Sequence, residues 1–186
     1  MENLAKQPII NPLAFIHPSS KIIGLVVIEE CCIVAPQVSL RADEGSPFHF
    51  CKGTNIQDGV TVHGLLDRFV EVDGKQYSVF VGPHCSIAHG ALIHGPTYIG
   101  KKTFVGFNAI VHNSKIGRNC HIGHGAILDG VTLPDYTKVP NGMSINNQEQ
   151  VENLPSAKEV NNFNHEVVDF NKKLAEHYKA FYATNS

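Results

Sequence analysis

A six-residue period in the apolar side chains constrains this chain more than any other feature. An α-helix has a period near 3.6 and a flat strand a period of 2, so neither explains it. Three faces of six residues make one coil of a parallel β-helix, in which apolar rungs point inward and stack. An ordinary β-sandwich would show this spacing only by accident, and an accident is a poor explanation for a run in which every rung is apolar. The rungs are Ile10, Ile16, Ile22, Ile28, Val34, Leu40, Phe50, Ile56, Val62, Val81, Ile87, Ile93, Ile99, Val105, Val111, Ile116, Ile122 and Leu128.

Small residues and glycines recur at fixed positions relative to the rungs. Four residues after a rung the side chain is usually small, as at Cys85 and Ala91, which suits the corners of a prism. Glycine directly follows several rungs, and we expect it to supply turns with positive φ. These glycines are Gly82, Gly100, Gly106, Gly117 and Gly123.

Two interruptions of the period predict loops. Ten residues separate Leu40 from Phe50 and nineteen separate Val62 from Val81, where six are expected. We therefore predict a β-helix domain over 1–148 with loops at 41–49 and 64–79. Loops on a rigid scaffold are common places for functional sites.

The pattern changes to helical spacing near the C-terminus, and we predict an α-helix over 149–186 that packs on a β-helix, its own or a neighbour's. Ser156 and Glu159 form a capping box after Pro155. Apolar residues then follow at steps of three and four, which is typical of one helix face. They are Val160, Phe163, Val167, Phe170, Leu174, Tyr178 and Phe181.

Charge and cysteine content narrow the function classes. A formal net charge of −2 gives no electrostatic basis for binding nucleic acid or an anionic membrane, and no apolar run could span a bilayer. Pro8 and Pro12 interrupt a polar N-terminus, so we expect no signal peptide. Five cysteines without a CxxC spacing indicate reduced thiols and a cytoplasmic protein.

The repeat predicts that three histidines form a column. His63, His94 and His112 each directly follow a rung on the same face of successive coils. Arg41 occupies the equivalent position one coil before His63. Adjacent coils are spaced like adjacent strands, about 4.8 Å apart. His63 and His94 therefore lie close enough to share one metal ion. His112 lies one coil further away, and we expect it to be structural.

His89 is the predicted third ligand. It lies two residues after the rung on the preceding face, around a corner from His94 and more than about 10 Å away. One chain cannot easily bring all three imidazoles to one ion, but a cyclic trimer sets this face against the histidine face of the next subunit. We predict a site with His63 and His94 from one chain, His89 from another, and an open fourth position. Asp58, one coil from His89, is placed to orient it or to pair with an arginine across the interface.

These residues resemble the γ-class carbonic anhydrases. The resemblance covers nearly the whole chain and rests on short motifs together with the three histidines. The motifs are Arg41-Ala42-Asp43-Glu44-Gly45, Asn55-Ile56-Gln57-Asp58-Gly59, Ala88-His89, His94-Gly95-Pro96 and Leu174-Ala175-Glu176-His177-Tyr178.

The resemblance implies a left-handed β-helix, a homotrimer, and a metal at each interface held by His63, His89 and His94. The metal that the resemblance implies is zinc, with iron or cobalt as alternatives. The implied reaction is the reversible hydration of CO2 to bicarbonate, with hydroxide on the metal as the nucleophile.

The resemblance also implies roles for other residues. Gln57 resembles the residue that orients the nucleophile, and Glu44 the acidic residue that moves the proton. Arg41 and Asp58 resemble an intersubunit pair near bicarbonate, and Asn171 resembles a helix asparagine that reaches substrate. Asn55 completes the predicted substrate-binding set.

The chain departs from the family pattern at two positions. Leu66 replaces a proton-shuttling glutamate in a shortened loop, and Asp169 replaces a tyrosine near Asn171. In these respects the chain is similar to the short-loop members and to the anhydrase-like domain of carboxysome scaffold proteins. The alternatives are therefore a non-catalytic assembly subunit and a hexapeptide-repeat acyltransferase, which shares the fold but uses a single histidine base.

Overall fold

The computed structural model describes residues 5–158 and 161–184, and it has the parallel β-helix that the six-residue period predicts. Within these residues, three parallel sheets of seven strands each form the faces of a prism. The first sheet contains β1 (Ile9–Ile10), β4 (Val26–Ile28), β7 (Phe48–Phe50), β12 (Val79–Val81), β15 (Thr97–Ile99), β18 (Lys115–Ile116) and β21 (Thr132–Leu133). The second contains β2 (Phe15–Ile16), β5 (Ile33–Val34), β8 (Asn55–Ile56), β13 (Ser86–Ile87), β16 (Phe104–Val105), β19 (His121–Ile122) and β22 (Lys138–Val139). The third contains β3 (Lys21–Gly24), β6 (Ser39–Ala42), β9 (Thr61–His63), β14 (Leu92–His94), β17 (Ile110–His112), β20 (Ile127–Asp129) and β23 (Ser144–Ile145).

The rungs form the core of the prism. From Ile28 to Leu128 every predicted rung is at most 1% exposed, because coils cover it from both sides. Ile10 is 40% exposed, since it lies in the first coil and only one side is covered. The ladder also continues beyond the predicted rungs, with Leu133, Val139 and Ile145 buried in a further coil.

The glycines that follow the rungs do not supply positive φ, and that prediction was wrong. A Cβ added at Gly100 would lie 2.6 Å from the backbone nitrogen of Arg118 on the next coil, and one at Gly117 would lie 2.6 Å from the nitrogen of Asp135. Glycine is needed there because the next coil passes too close for a side chain. The positive-φ corners lie elsewhere, for example at Gly125 (φ 65°).

Both predicted loops leave the prism between the third and first sheets. The first is shorter than predicted, because β6 continues to Ala42 and β7 begins at Phe48. The second contains an antiparallel hairpin of β10 (Val70–Val72) and β11 (Lys75–Tyr77). The loops contact each other, since the Gly45 amide donates a hydrogen bond of 3.0 Å to the Gly64 carbonyl.

The segment predicted as one helix over 149–186 contains two helices, α1 (Glu149–Glu152) and α2 (Asn161–Thr184). Between them Ser156 forms an isolated β-bridge with Thr137, which interrupts helical geometry. Glu159 of the predicted capping box and Val160 of the predicted stripe lie outside the described residues. No helix in the described part of the chain combines the length and apolar character needed to cross a bilayer.

Helix α2 packs on the second sheet with a face rotated from the predicted stripe. Val168 and Ala175 are buried, and Tyr178 stacks on Phe15 with ring centroids 5.3 Å apart. Phe170 and Phe181 of the predicted stripe are 66% and 58% exposed. The helix therefore covers its own prism with one edge and leaves apolar surface on the other.

Candidate functional site

The structure places the three histidines of the predicted column in register on the third sheet. His94 lies opposite His63 on one side and opposite His112 on the other. The ring centroids are 5.3 Å apart for both neighbouring pairs, in edge-to-face arrangements. The column follows directly from the six-residue repeat, because residues at equivalent positions of successive coils face the same side.

His63 and His94 face each other through one nitrogen each. His63 Nδ1 and His94 Nε2 are 3.4 Å apart. Two nitrogens bound to one tetrahedral zinc at 2.0–2.1 Å lie about 3.3–3.4 Å apart. The spacing of this pair therefore fits a shared zinc ion without movement of the strands.

We call the nitrogens that face each other the inner nitrogens and the second ring nitrogen of each histidine the outer nitrogen. Both outer nitrogens face oxygen acceptors. His63 Nε2 lies 3.2 Å from Asp43 Oδ1, and His94 Nδ1 lies 3.0 Å from the Gly95 carbonyl oxygen. A proton on each outer nitrogen leaves a lone pair on each inner nitrogen. Acceptors at the outer nitrogen are the usual way in which proteins orient metal-binding histidines.

Asp43 supplies a buried oxygen at this site. Its Oδ1 is buried and makes no hydrogen bond, although it approaches His63 Nε2. Its Oδ2 accepts hydrogen bonds from Arg41 at 3.0 and 3.1 Å. Burial alone would raise the pKa of Asp43, but the Arg41 hydrogen bonds and its own backbone amide outweigh that effect and lower it. The carboxylate is therefore ionised beside the histidine pair.

His89 is held by a carboxylate on the neighbouring coil. Its Nδ1 lies 3.1 Å from Asp58 Oδ2, and both side chains are about half exposed. This is the first of the two roles predicted for Asp58. A proton on Nδ1 would leave Nε2 of His89 available to bind a metal ion, just as the outer contacts leave Nδ1 of His63 and Nε2 of His94 available.

A single chain does not bring the three predicted ligands together. Among the described residues, the only set of three or more His, Cys, Asp or Glu ligand atoms within 4.8 Å of one another is Glu29, His49 and Cys51. The exposed position of His89 at a corner agrees with a ligand that would meet its partners across a subunit boundary.

Gln57 and Asn55 belong to a buried polar chain on the second sheet. Gln57 Nε2 donates to Asn55 Oδ1 at 2.9 Å, and Asn55 Nδ2 donates to Ser86 Oγ at 2.7 Å. Asn55 is buried and lies opposite Ser86 on the next coil. Within one chain, its amide oxygen orients Gln57. These contacts fix the Gln57 amide and leave its oxygen as the acceptor end.

Arg41 and Glu44 lie close to His63. Arg41 pairs with Asp43 and not with Asp58 in this chain, so the predicted intersubunit pair stays a prediction. Glu44 Oε2 lies 3.8 Å from His63 Nε2, and its Oε1 accepts a hydrogen bond of 3.3 Å from the Leu66 amide. The shortened second loop therefore positions the carboxylate through its backbone.

Asn171 makes a contact within its own helix. Its Nδ2 donates to the Val167 carbonyl at 2.9 Å, one turn earlier. Nearby, Asp169 lies 3.1 Å from His165 and 3.6 Å from Lys172. The predicted contact of Asn171 with substrate stays a prediction.

His112 ends the column. Its Nδ1 lies 2.7 Å from Asp129 Oδ1 on the next coil, which agrees with the expected structural role. An open depression of about 540 Å³ beside it is lined partly by Leu65, Phe69 and Pro96. The histidine column therefore borders a depression of mixed polar and apolar character, which the second loop helps to form.

Sequence reasoning assigned no separate role to Asp43 or to the Gly95 carbonyl. Asp43 was visible only as a member of a motif, and a backbone acceptor carries no sequence signal. The group of Glu29, His49 and Cys51 was also missed, although His49 and Cys51 flank a rung and Glu29 follows the rung one coil earlier.

Known proteins resemble this chain in fold and in sequence. Residues 96–130 match the family model "Bacterial transferase hexapeptide (six repeats)". A hexapeptide transferase family protein from Anaplasma phagocytophilum has a TM-score of 0.75 at 19% identity, over 96% of this chain and 99% of that chain. This likeness concerns the fold alone. The predicted fold class, a left-handed parallel β-helix of hexapeptide repeats, is confirmed, while the trimer stays a prediction.

Two relatives are more similar in sequence. The carboxysome assembly protein CcmM of Nostoc sp. is 46% identical over 171 residues, which cover 91% of this chain and 31% of CcmM. The chain thus spans about a third of that relative's length. A carbonic anhydrase of Methanosarcina thermophila is 39% identical over 185 residues, which cover 92% of this chain and 75% of that protein. The similarity to this enzyme extends over most of both proteins and confirms the resemblance inferred from the motifs, so the chain belongs to the γ-class carbonic anhydrase family.

Proposed function

We propose that this chain catalyses the reversible hydration of CO2 to bicarbonate at metal sites shared between the subunits of a homotrimer. The observation that carries the proposal is the 3.4 Å separation of His63 Nδ1 and His94 Nε2, with both outer nitrogens facing acceptors. The 39% identity to the Methanosarcina carbonic anhydrase supports the choice of reaction.

His63 and His94 of one subunit and His89 of the next would hold the ion, which we propose to be Zn²⁺, with Fe²⁺ or Co²⁺ as alternatives. A catalytic zinc ion lowers the pKa of a coordinated water to about 7, which makes a nucleophile available at neutral pH. The exposed Phe170 and Phe181 support a subunit interface, because a monomer would leave this apolar surface in water.

Residues around the histidines would orient the reactants and move the proton. Gln57, held by Asn55, would accept a hydrogen bond from the attacking water through its amide oxygen. Arg41 would bind bicarbonate as a cation, and Asp58 would hold the His89 ring. Glu44, half exposed and close to His63, would pass the proton to solvent.

Asn171 would complete substrate binding from a helix at the same interface. Asn55 supports the substrate side indirectly in this proposal, through Gln57. We also propose a cytoplasmic location, which the five unpaired cysteines support.

The test is stopped-flow CO2 hydration on protein purified without oxygen, together with its metal content. We expect activity with at least one metal ion per chain. In His94→Ala we expect loss of the activity and of about one bound metal ion per chain. His124→Ala is the matched control. His124 follows β19 of the second sheet and is not a proposed ligand. Protein that carries the metal but hydrates no CO2 would contradict the proposed reaction.

A second candidate is an assembly subunit that binds metal without catalysis. The 46% identity to CcmM favours it, as does Leu66 in place of the family's proton-shuttling glutamate. Restoring the acid by Leu66→Glu separates the candidates. An enzyme limited by proton transfer should become faster, whereas an assembly subunit should remain without activity.

A further inference from the structure

A second group of metal-binding side chains lies on the first sheet, on a different face from the histidine column. Glu29, His49 and Cys51 offer a carboxylate oxygen, an imidazole nitrogen and a sulfur atom, all within 4.8 Å of one another. Three different donor types thus converge outside the proposed catalytic site.

The register of two consecutive coils brings these donors together. Ile28 pairs with Phe50, so the next residues, Glu29 and Cys51, lie opposite each other on adjacent coils. His49 precedes Phe50 in the same strand. Because Phe50 points into the core, its neighbours lie toward the other side of the strand. The backbone is held by hydrogen bonds from Glu29 N to the Phe50 carbonyl and from Cys51 N to the Val81 carbonyl.

Neighbouring groups orient Glu29 and His49. Glu29 Oε1 lies 2.7 Å from His49 Nε2, while Glu29 Oε2 accepts a hydrogen bond of 2.8 Å from the Lys52 amide. The rings of Tyr77 and Phe80 pack against the His49 ring, each with centroids 5.5 Å away. An ion pair alone would account for Glu29 and His49, but it gives no reason for the sulfur beside them.

We propose that Glu29, His49 and Cys51 form a second metal site, which binds a borderline-soft divalent ion such as Zn²⁺ or Co²⁺. A mixed sulfur, nitrogen and oxygen set suits these ions, whereas Mg²⁺ and Ca²⁺ prefer oxygen ligands alone. Bond lengths of 2.0–2.3 Å place ligand atoms about 3.3–3.8 Å apart, so donors up to 4.8 Å apart need to close by about 1.0–1.5 Å. Glu29 Oε1 and His49 Nε2, now 2.7 Å apart, need to open by about 0.6 Å.

Binding balances in charge and protons. The ion replaces the thiol proton of Cys51, which passes to solvent, and the resulting thiolate and the Glu29 carboxylate neutralise the dication. His49 coordinates through Nε2 in the tautomer that carries its proton on Nδ1. The ion links two successive coils and therefore stabilises the folded chain by mass action.

The test uses Co²⁺ alone as the probe, added to the full chain under reducing conditions. A thiolate ligand gives an intense sulfur-to-cobalt charge-transfer band in the near ultraviolet, which a site of three histidines cannot give. We expect this band in the wild type and also in His94→Ala, which removes a ligand of the proposed catalytic site. The outcome is therefore independent of the proposed function.

Single-residue variants identify which cysteine supplies the sulfur ligand. Cys51→Ser should abolish the band, and Glu29→Gln should weaken Co²⁺ binding at least about tenfold with the band retained at saturation. Cys31→Ser, at an exposed cysteine, is the matched control and should leave the band unchanged. The absence of the band in wild type, its persistence in Cys51→Ser, or its loss in His94→Ala would each overturn the proposal. Circular dichroism of each variant establishes that the β-helix is intact.

Discussion

Replacing Gly100, which follows the rung Ile99, should force two adjacent coils of the prism apart. In Gly100→Ala the new Cβ would lie 2.6 Å from the Arg118 nitrogen and 2.6 Å from the Gly117 carbonyl carbon, both backbone atoms. Ordinary contact begins near 3.4 Å, so the coils must separate by about 0.8 Å. The hydrogen bond from Gly100 N to the Ile116 carbonyl, 2.8 Å long, would then exceed normal range.

The expected cost is about 1–3.5 kcal/mol in the free energy of unfolding. Overpacking contributes about 1–3 kcal/mol and the weakened hydrogen bond about 1 kcal/mol, while the loss of glycine's freedom in the unfolded chain returns about 0.4–1 kcal/mol. Urea unfolding at fixed protein concentration, followed by circular dichroism, measures the difference from wild type.

Gly125→Asn is the matched control. Gly125 has φ 65° with no atom within 4 Å of an added Cβ, and Asn108 and Asn119 adopt φ of 53° and 55° at other corners of this chain. Asparagine tolerates this conformation, so we expect a change within about 0.5 kcal/mol. If Gly100→Ala were no more destabilising than Gly125→Asn, the explanation by close approach of the coils would be refuted.

Three further predictions concern single side chains. Cys31 is exposed, whereas burial raises the pKa of the other four thiols to about 11 or 12. A thiol reagent at neutral pH should therefore react rapidly with one thiol in the folded chain, and rapid reaction of several thiols would contradict this. Burial, and then Lys172, lower the pKa of His84, so below pH 6.5 the unfolded chain binds a proton more readily than the folded chain. The free energy of unfolding should therefore fall as the pH drops from 6.5, less steeply in His84→Gln, and equal slopes would refute the assignment. Asp43→Asn should weaken metal binding at the His63 site about 10–100-fold in a competition titration, and unchanged affinity would count against the role of its buried oxygen.

The period of six predicted the prism and the histidine column because both depend only on the register of successive coils. Ile93 and Val111 are rungs of one face, so His94 and His112, one residue later, must stack. The interruptions of the period likewise gave the positions of the loops, although the hairpin inside the second loop had no periodic signal.

Features that depend on close contact could not be predicted. The role of Gly100 depends on the distance to a backbone 17 residues later, which composition does not reveal. The packed face of α2 depends on how the helix lies against the second sheet, so Val168 is buried while Phe170 is exposed. Neighbouring groups such as the Gly95 carbonyl become visible only once the side-chain geometry is known.

Subunit mixing tests the shared site most directly. His89→Ala and His94→Ala chains are unfolded together, refolded as a 1:1 mixture, and assayed for tightly bound zinc. If each site takes His63 and His94 from one chain and His89 from the next, every mixed trimer regains one complete site. Both chains also carry Cys51→Ser, which removes the second proposed metal site. About three quarters of random trimers are mixed, so zinc should return to about one quarter of the content of the Cys51→Ser protein, in which only the shared sites remain. Each variant refolded alone should bind no zinc, and a mixture that also binds none would contradict a site shared between subunits.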